Sequence, residues 1–228
     1  MRDLIEHVFF DLDHTLWDFD KNSRLAFERM FTQQSISINL NEFLEIYEPI
    51  NFHYWKLYRE ERVSKQELRR NRFSEAFQPF GIHFSIEELD HLAQLYIDEL
   101  PKDNHLFEGV HEVLEYLSVN YQLHIITNGF HEVQHKKLQN SGISTYFSTV
   151  TTSEEVGLKK PNPVIFKKAL EKAKALSNKS LMVGDTFEAD ILGAKGVGMH
   201  TLYFNYRKEP IPAEYLKIDL ITDIKKHL

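Results

Sequence analysis

Four short polar clusters in this sequence hold residues that could do chemistry together. Asp11-Leu12-Asp13-His14-Thr15 sets two carboxylates two residues apart, and Thr127-Asn128-Gly129 offers a hydroxyl and an amide beside a glycine. Lys159-Lys160-Pro161 supplies ammonium groups, and Gly184-Asp185 is followed five residues on by Asp190. Paired carboxylates can divide the work of nucleophile and proton carrier. Further carboxylates are hard oxygen donors for a divalent cation, and a lysine neutralises charge that develops in a reaction. Each cluster alone has a bland reading: a turn for T-N-G, a solvated loop for K-K-P, a helix cap for G-D. Their joint placement is what favours chemistry.

That placement comes from the elements around them. His7-Val8-Phe9-Phe10 is a short β-branched and aromatic run ended by acidic residues, the pattern of a buried strand. From Lys21 to Leu100 the strand signals fade. Helical spacing runs through Arg24–Thr32, Phe43–Tyr58, Glu67–Phe80 and Ile86–Leu100, with Pro49 expected to kink or start a helix. From Pro101 onward the rhythm alternates. Helices are expected at Val110–Leu117, His131–Gln139, Pro163–Ala173 and Ala189–Lys195, with a short one at Ile221–Leu228. Strands are expected at Gln122–Ile126, Thr149–Thr152, Leu181–Val183 and Met199–Phe204. Such alternation implies βαβ units and a doubly wound parallel sheet, a Rossmann-like core. The expected division is a core of residues 1–15 and 101–228, interrupted by an all-helical insertion at 16–100. All four clusters then fall at carboxyl ends of strands, where open parallel sheets bind ligands.

Composition narrows the classes. The 228 residues are 42% hydrophobic and 27% charged, ordinary for a packed globular chain. A net charge of −7 with no long basic stripe argues against a nucleic-acid polymer as partner. The absence of cysteine excludes disulfides, zinc-thiolate sites and cysteine nucleophiles. No secretory signal or apolar stretch of about 20 residues is evident, so no membrane association and a soluble, cytoplasmic protein are expected. The sequence is silent on oligomeric state.

In order, D-L-D-H-T, T-N, K-P and G-D-x-x-x-x-D resemble the four motifs of the haloacid dehalogenase superfamily, and the helical insertion resembles that family's type 1 cap. D-L-D-H-T-L-W-D-F-D, I-I-T-N-G-F, S-E-E-V-G-L-K-K-P-N and L-M-V-G-D-T further resemble the branch containing bacterial pyrimidine 5′-nucleotidases. The resemblance covers essentially the whole chain. It implies a magnesium-dependent phosphatase acting on a small phosphorylated metabolite, with a nucleoside 5′-monophosphate foremost. The reaction would pass through an aspartyl-phosphate on Asp11. Asp13 would protonate the leaving oxygen and later deprotonate water, roles its position also allows on chemical grounds. Two neighbouring carboxylates repel when both are ionised, which favours one holding a proton.

For the ion, the resemblance implies Asp11, the backbone carbonyl of Asp13 and Asp185 as Mg2+ ligands, with Asp190 orienting waters or Lys160. Thr127, the Asn128 backbone N–H and Lys160 would bind the phosphoryl group, and Lys160 is chosen over Lys159 because the family's lysine directly precedes the proline. Asp13 and Asp185 together favour phosphoryl chemistry over carbon–halogen cleavage. A sugar-phosphate phosphatase or phosphoglucomutase shares the same catalytic set. A phosphorylatable or catalytically silent binding protein is the rival of another class.

Other features receive plainer readings. His131 and His135, four apart on a helix, are read as a surface pair. Phe52, Tyr54, Trp55 and Tyr58 could stack on a base but are read mostly as core. Trp17 and Phe19 are read as packing at the border of the cap, and Arg69, Arg70 and Arg72 as a solvated helix face.

Overall fold

The buried run His7–Phe10 forms strand β1, and both of its edges are paired. In the computed structural model, which describes residues 2–228, β1 lies between β2 (Gln122–Thr127) and β4 (Ser180–Gly184). Val8 is opposite Leu123 on one side and Leu181 on the other. Strands β3 (Phe147–Thr152), β5 (His200–Phe204) and β6 (Lys217–Ile218) complete a six-stranded sheet of order β3-β2-β1-β4-β5-β6, every pair parallel. A strand enclosed on both faces should read as continuous apolar residues, as β1 and β4 do. The two-residue β6 was not foreseen. It is too short to carry a periodic signal.

The chain divides into two compact units. One runs to Phe19 and resumes over Asn104–Leu228, and the other is Asp20–Asp103. In the first, the sheet is flanked by α5 (Val110–Ser118), α6 (His131–Asn140), the single turn α7 (Ser153–Val156) and α8 (Pro163–Ala173). Helix α8 starts where chemistry demands. Asn162 accepts the Val164 N–H at 3.0 Å, and Pro163 occupies the first turn, where its missing N–H costs nothing. Its inner face packs Ile165, Phe166 and Ala169 against Phe9, Ile126 and Met182 of the three central strands. Each large apolar side chain buried there contributes about 1.5–3 kcal/mol relative to exposure. The helix expected at Ala189–Lys195 is instead a π-helical turn, Phe187–Leu192, followed by α9 (Gly193–Lys195). Such wide turns are rare and frequently fall at functional sites, and this one carries Asp190.

The second unit is four helices: α1 (most of Phe19–Gln33), α2 (Leu40–Arg59), α3 (Lys65–Phe77) and α4 (Ile86–Glu99). Helices α3 and α4 each open with a capping box, Ser64 with Glu67 and Ser85 with Glu88. Their core is aromatic, with Phe27 in ring contact with Phe31, Phe43, Tyr47, Phe73 and Tyr96. Pro49 neither starts nor interrupts α2. It and Glu45, whose carbonyl it leaves without an N–H, are both exposed, so water can satisfy that carbonyl. Tyr54 and Tyr58 are buried as expected, Trp55 is half-buried, and Phe52 faces solvent.

The arginine run needs correction. Arg70 pairs with Asp90, but Arg72 is buried beside Leu68, Phe73 and Ala76, with Nη1 donating to Asn51 Oδ1 at 2.8 Å. Position 72 lies four after Leu68, on the inward face of α3. Among the described residues no helix is long and apolar enough to cross a membrane.

Candidate active site

Asp11 leaves the end of β1 with its N–H bonded to the Val183 carbonyl on β4 at 2.9 Å. The chain then curls back on itself. The amides of Leu16 and Trp17 return to the Leu12 carbonyl at 3.0 and 2.9 Å, which turns Asp13 out at the loop. His14 takes left-handed backbone, φ 63°, a conformation costing about 1–2 kcal/mol for a residue with a Cβ. Its Nδ1 lies 2.9 Å from the Tyr206 hydroxyl. Thr127 ends β2, Asp185 follows β4, and Lys160 lies just before α8. The sheet order therefore brings three expected motifs side by side on its central strands.

Lys160 is the hub of the site. Its buried ammonium reaches Asp11 Oδ1 at 2.7 Å, Asp190 Oδ1 at 2.7 Å and the Ile126 carbonyl at 2.8 Å. Two of these are hydrogen bonds, to Asp11 and the Ile126 carbonyl, and the contact with Asp190 is an ion pair. Burial works against its charge, but the two carboxylates outweigh that and hold its pKa above the ordinary value. Lys159 stays half-exposed. The Asn128 side chain latches this loop, accepting the Lys160 N–H at 2.8 Å and donating to the Lys160 carbonyl at 3.0 Å. Asp190 also accepts the Thr186 N–H, at 3.0 Å. A Cβ on Gly184 would come within 2.3 Å of the Asp190 carboxylate, so the glycine before Asp185 makes room for it.

Carboxylates outnumber cations around Asp11. One oxygen each of Asp11, Asp185 and Asp190 lies within 4.8 Å of the others, and this is the group of three or more such ligands found among the described residues. Burial pushes the Asp11 carboxyl up to about 7, with Lys160 opposing and Asp190 and Asp13 reinforcing. Asp185 is pushed well above the usual carboxylate range by burial and by repulsion from Asp11 and Asp190. Arg207 stands 3.8 Å from it, and Thr15 donates at 3.4 Å. Close-set oxygen donors that cannot all stay ionised unaided suit a small hard cation such as magnesium.

Asp13 is held apart from that cluster. Gln134 Nε2 donates to Asp13 Oδ2 at 2.9 Å and to Thr127 Oγ1 at 2.7 Å, and Lys137 Nζ reaches Asp13 Oδ1 at 2.5 Å. Thr127 Oγ1 also accepts the Gly129 N–H at 3.1 Å. With two bonds accepted, the hydroxyl has its own proton left to give. Lys137 is buried and lies 4.1 Å above the Trp17 ring, so Trp17 belongs to the floor of this site.

Gln134, Lys137 and Arg207 were not foreseen. For the first two a signal existed: they occupy the stripe of α6 that also buries Val133 and Leu138, where the helical pattern calls for apolar residues. His131 and His135 face outward with rings 4.5 Å apart. His131-Glu132-Val133-Gln134-His135 has the H-E-x-x-H spacing of zinc peptidases, but among the described residues no third such ligand joins the pair.

The model of the haloacid dehalogenase-like hydrolases matches residues 8–204. The chain belongs to that family. Among relatives of this family member, a pyrimidine 5′-nucleotidase of Streptococcus pneumoniae is 34% identical over 87% of this chain and 83% of its own. A glyceraldehyde 3-phosphate phosphatase of Pyrococcus abyssi is 32% identical over 90% of this chain and 83% of its own. The crystal structure of the HAD-hydrolase YfnB from Bacillus subtilis bound to magnesium superposes with a TM-score of 0.90 at 27% identity, covering 98% of each chain.

Proposed function

We propose that this hydrolase is a magnesium-dependent phosphatase of small phosphate monoesters, with pyrimidine nucleoside 5′-monophosphates as its substrate class. The observation that carries the mechanism is the separation of two carboxylates two residues apart. Asp11 is tied to the buried Lys160, while Asp13 is tied to Gln134 and Lys137.

In this reading an Asp11 oxygen attacks phosphorus, the ester P–O bond breaks, and Asp13 gives a proton to the leaving alkoxide. Asp13 then takes a proton from water, whose oxygen attacks the aspartyl-phosphate and restores Asp11 as inorganic phosphate leaves. Thr127 and the Asn128 N–H donate to phosphoryl oxygens, and Lys160 supplies positive charge beside Asp11. Asp11, Asp185 and the Asp13 carbonyl would hold magnesium, with Asp190 orienting Lys160. Magnesium, when bound, supplies charge that keeps Asp11 ionised and draws density from the phosphoryl oxygens. The helical insertion, expected at 16–100 and compact over Asp20–Asp103, is assigned the selection of the leaving group.

The nucleotide assignment rests on the similarity to the streptococcal nucleotidase. A sugar-phosphate phosphatase is the second reading, favoured by the archaeal relative at nearly equal identity. Phosphate release from a panel of nucleotides and sugar phosphates separates them. The expected result is turnover of pyrimidine 5′-monophosphates that chelator and Asp11→Asn both abolish. Turnover confined to sugar phosphates would discard the nucleotidase reading. Turnover that survives in Asp11→Asn would discard the mechanism.

A further inference from the structure

Helix α6 carries two polar side chains where it should carry apolar ones. Gln134 and Lys137 are three apart, so they share one face of the helix, and both are essentially buried. Burying a glutamine amide and an ammonium is unfavourable unless each is bonded. Their shared acceptor is the Asp13 carboxylate, one oxygen each: Oδ2 from Gln134 at 2.9 Å and Oδ1 from Lys137 at 2.5 Å.

We propose that Gln134 and Lys137 are positioning residues that lock the rotation of the Asp13 carboxyl and so fix its proton-carrying oxygen against the leaving group. Two donors on two oxygens remove the torsional freedom that a single contact would leave, and an acid must sit within hydrogen-bond reach of the atom it protonates. Gln134 does more than hold Asp13. The same Nε2 donates to Thr127 Oγ1, so the proton carrier at the end of β1 and the phosphoryl-binding hydroxyl at the end of β2 are set by one amide. The orientation of that amide follows from its partners, because turning it would set an oxygen against a carboxylate.

Two independent features support the holder. A Cβ on Gly129 would fall 2.4 Å from the Gln134 amide, so the glycine of T-N-G leaves the space in which Gln134 sits. The Trp17 ring lies 4.1 Å and the Phe19 ring 5.3 Å from the Lys137 ammonium, and their π faces favour the cation there.

This inference rests on the reading of Asp13 as acid and base, and one experiment separates the two. Lys137→Met, Gln134→Leu, Gly129→Ala and Asp13→Asn are each assayed on an alkyl phosphate, which needs a proton on leaving, and on p-nitrophenyl phosphate, which does not. Asp13→Asn should lose about 100-fold or more in kcat/KM, which reports the step that expels the leaving group, on the alkyl ester and far less on the nitrophenyl ester. The other three should show the same selectivity in kcat/KM at roughly 10- to 100-fold. Gly129→Ala reaches the same endpoint without removing a charge, so the test stands if Lys137→Met folds poorly. Equal losses on both esters in these three, beside selective loss in Asp13→Asn, would overturn the holder and keep the acid–base reading. No selectivity in Asp13→Asn would overturn both.

Discussion

Lys160 illustrates how one side chain can bear both stability and chemistry. It is the buried cation set between Asp11 and Asp190, and it also donates to the Ile126 carbonyl. Removing one member of a buried ion cluster leaves the others desolvated and uncompensated, which costs about 3–5 kcal/mol. Lys160→Met should therefore lose activity and also lower the unfolding free energy by that much at neutral pH, read as a fall in the urea midpoint. Loss of activity with an unchanged midpoint would show that the cluster is not energetically coupled. Lys160→Arg should not rescue it. A planar guanidinium cannot place donors on the same three acceptors.

At the scale of elements, the middle of the sheet holds a titratable pair away from the catalytic end. His124 on β2 is fully buried, stacks on Phe9 of β1, and lies 3.1 Å from His7 through its Nε2 and 2.9 Å from Thr149 Oγ1 through its Nδ1. Burial, reinforced by His7, lowers its pKa to about 4, and burial lowers that of His7 as well. The folded state thus prefers neutral imidazole, while the unfolded chain takes up protons near the ordinary value of 6.5. Below that pH the unfolded state binds more protons, so stability is fully present above about pH 6.5 and is lost as pH falls toward 4. Urea midpoints measured across that range should decline in the native protein. His124→Asn should decline less steeply, and parallel curves would remove the pair from the explanation.

If the proposed magnesium site forms, the stability of the whole molecule should report it. A ligand that binds only the folded state stabilises it by about 2.7 kcal/mol at a hundred times its Kd. Magnesium should raise the melting temperature of the native protein and leave Asp185→Asn nearly unmoved. Without magnesium the order should reverse. Asp185 is a buried carboxylate facing Asp11 and Asp190, so its neutral substitute should melt at the same or a higher temperature than the native chain. A magnesium-free Asp185→Asn protein that melts well below the native one would mean that Asp185 stabilises the fold by other contacts.

Much of this was legible from residue order alone. Apolar runs ended by Asp11 and Gly184, helical spacing from residue 21 to 100, and strand–helix alternation afterwards determine a parallel sheet carrying a helical insertion. These patterns are local: burial on one or both faces leaves a period of two or 3.6 residues, or none, in a short stretch of chain. The strand ends then locate Asp11, Thr127 and Asp185, because a parallel sheet presents its ligands at one edge. Tertiary structure alone decided what lies beyond that reach. Lys137 contacts Asp13 across 124 residues of chain, and Arg72 points inward from a run that reads as surface. Such pairings depend on the strand order β2-β1-β4 and on which turn of a helix faces the sheet. Periodicity can mark a position as buried, but only packing names the partner that makes its burial tolerable.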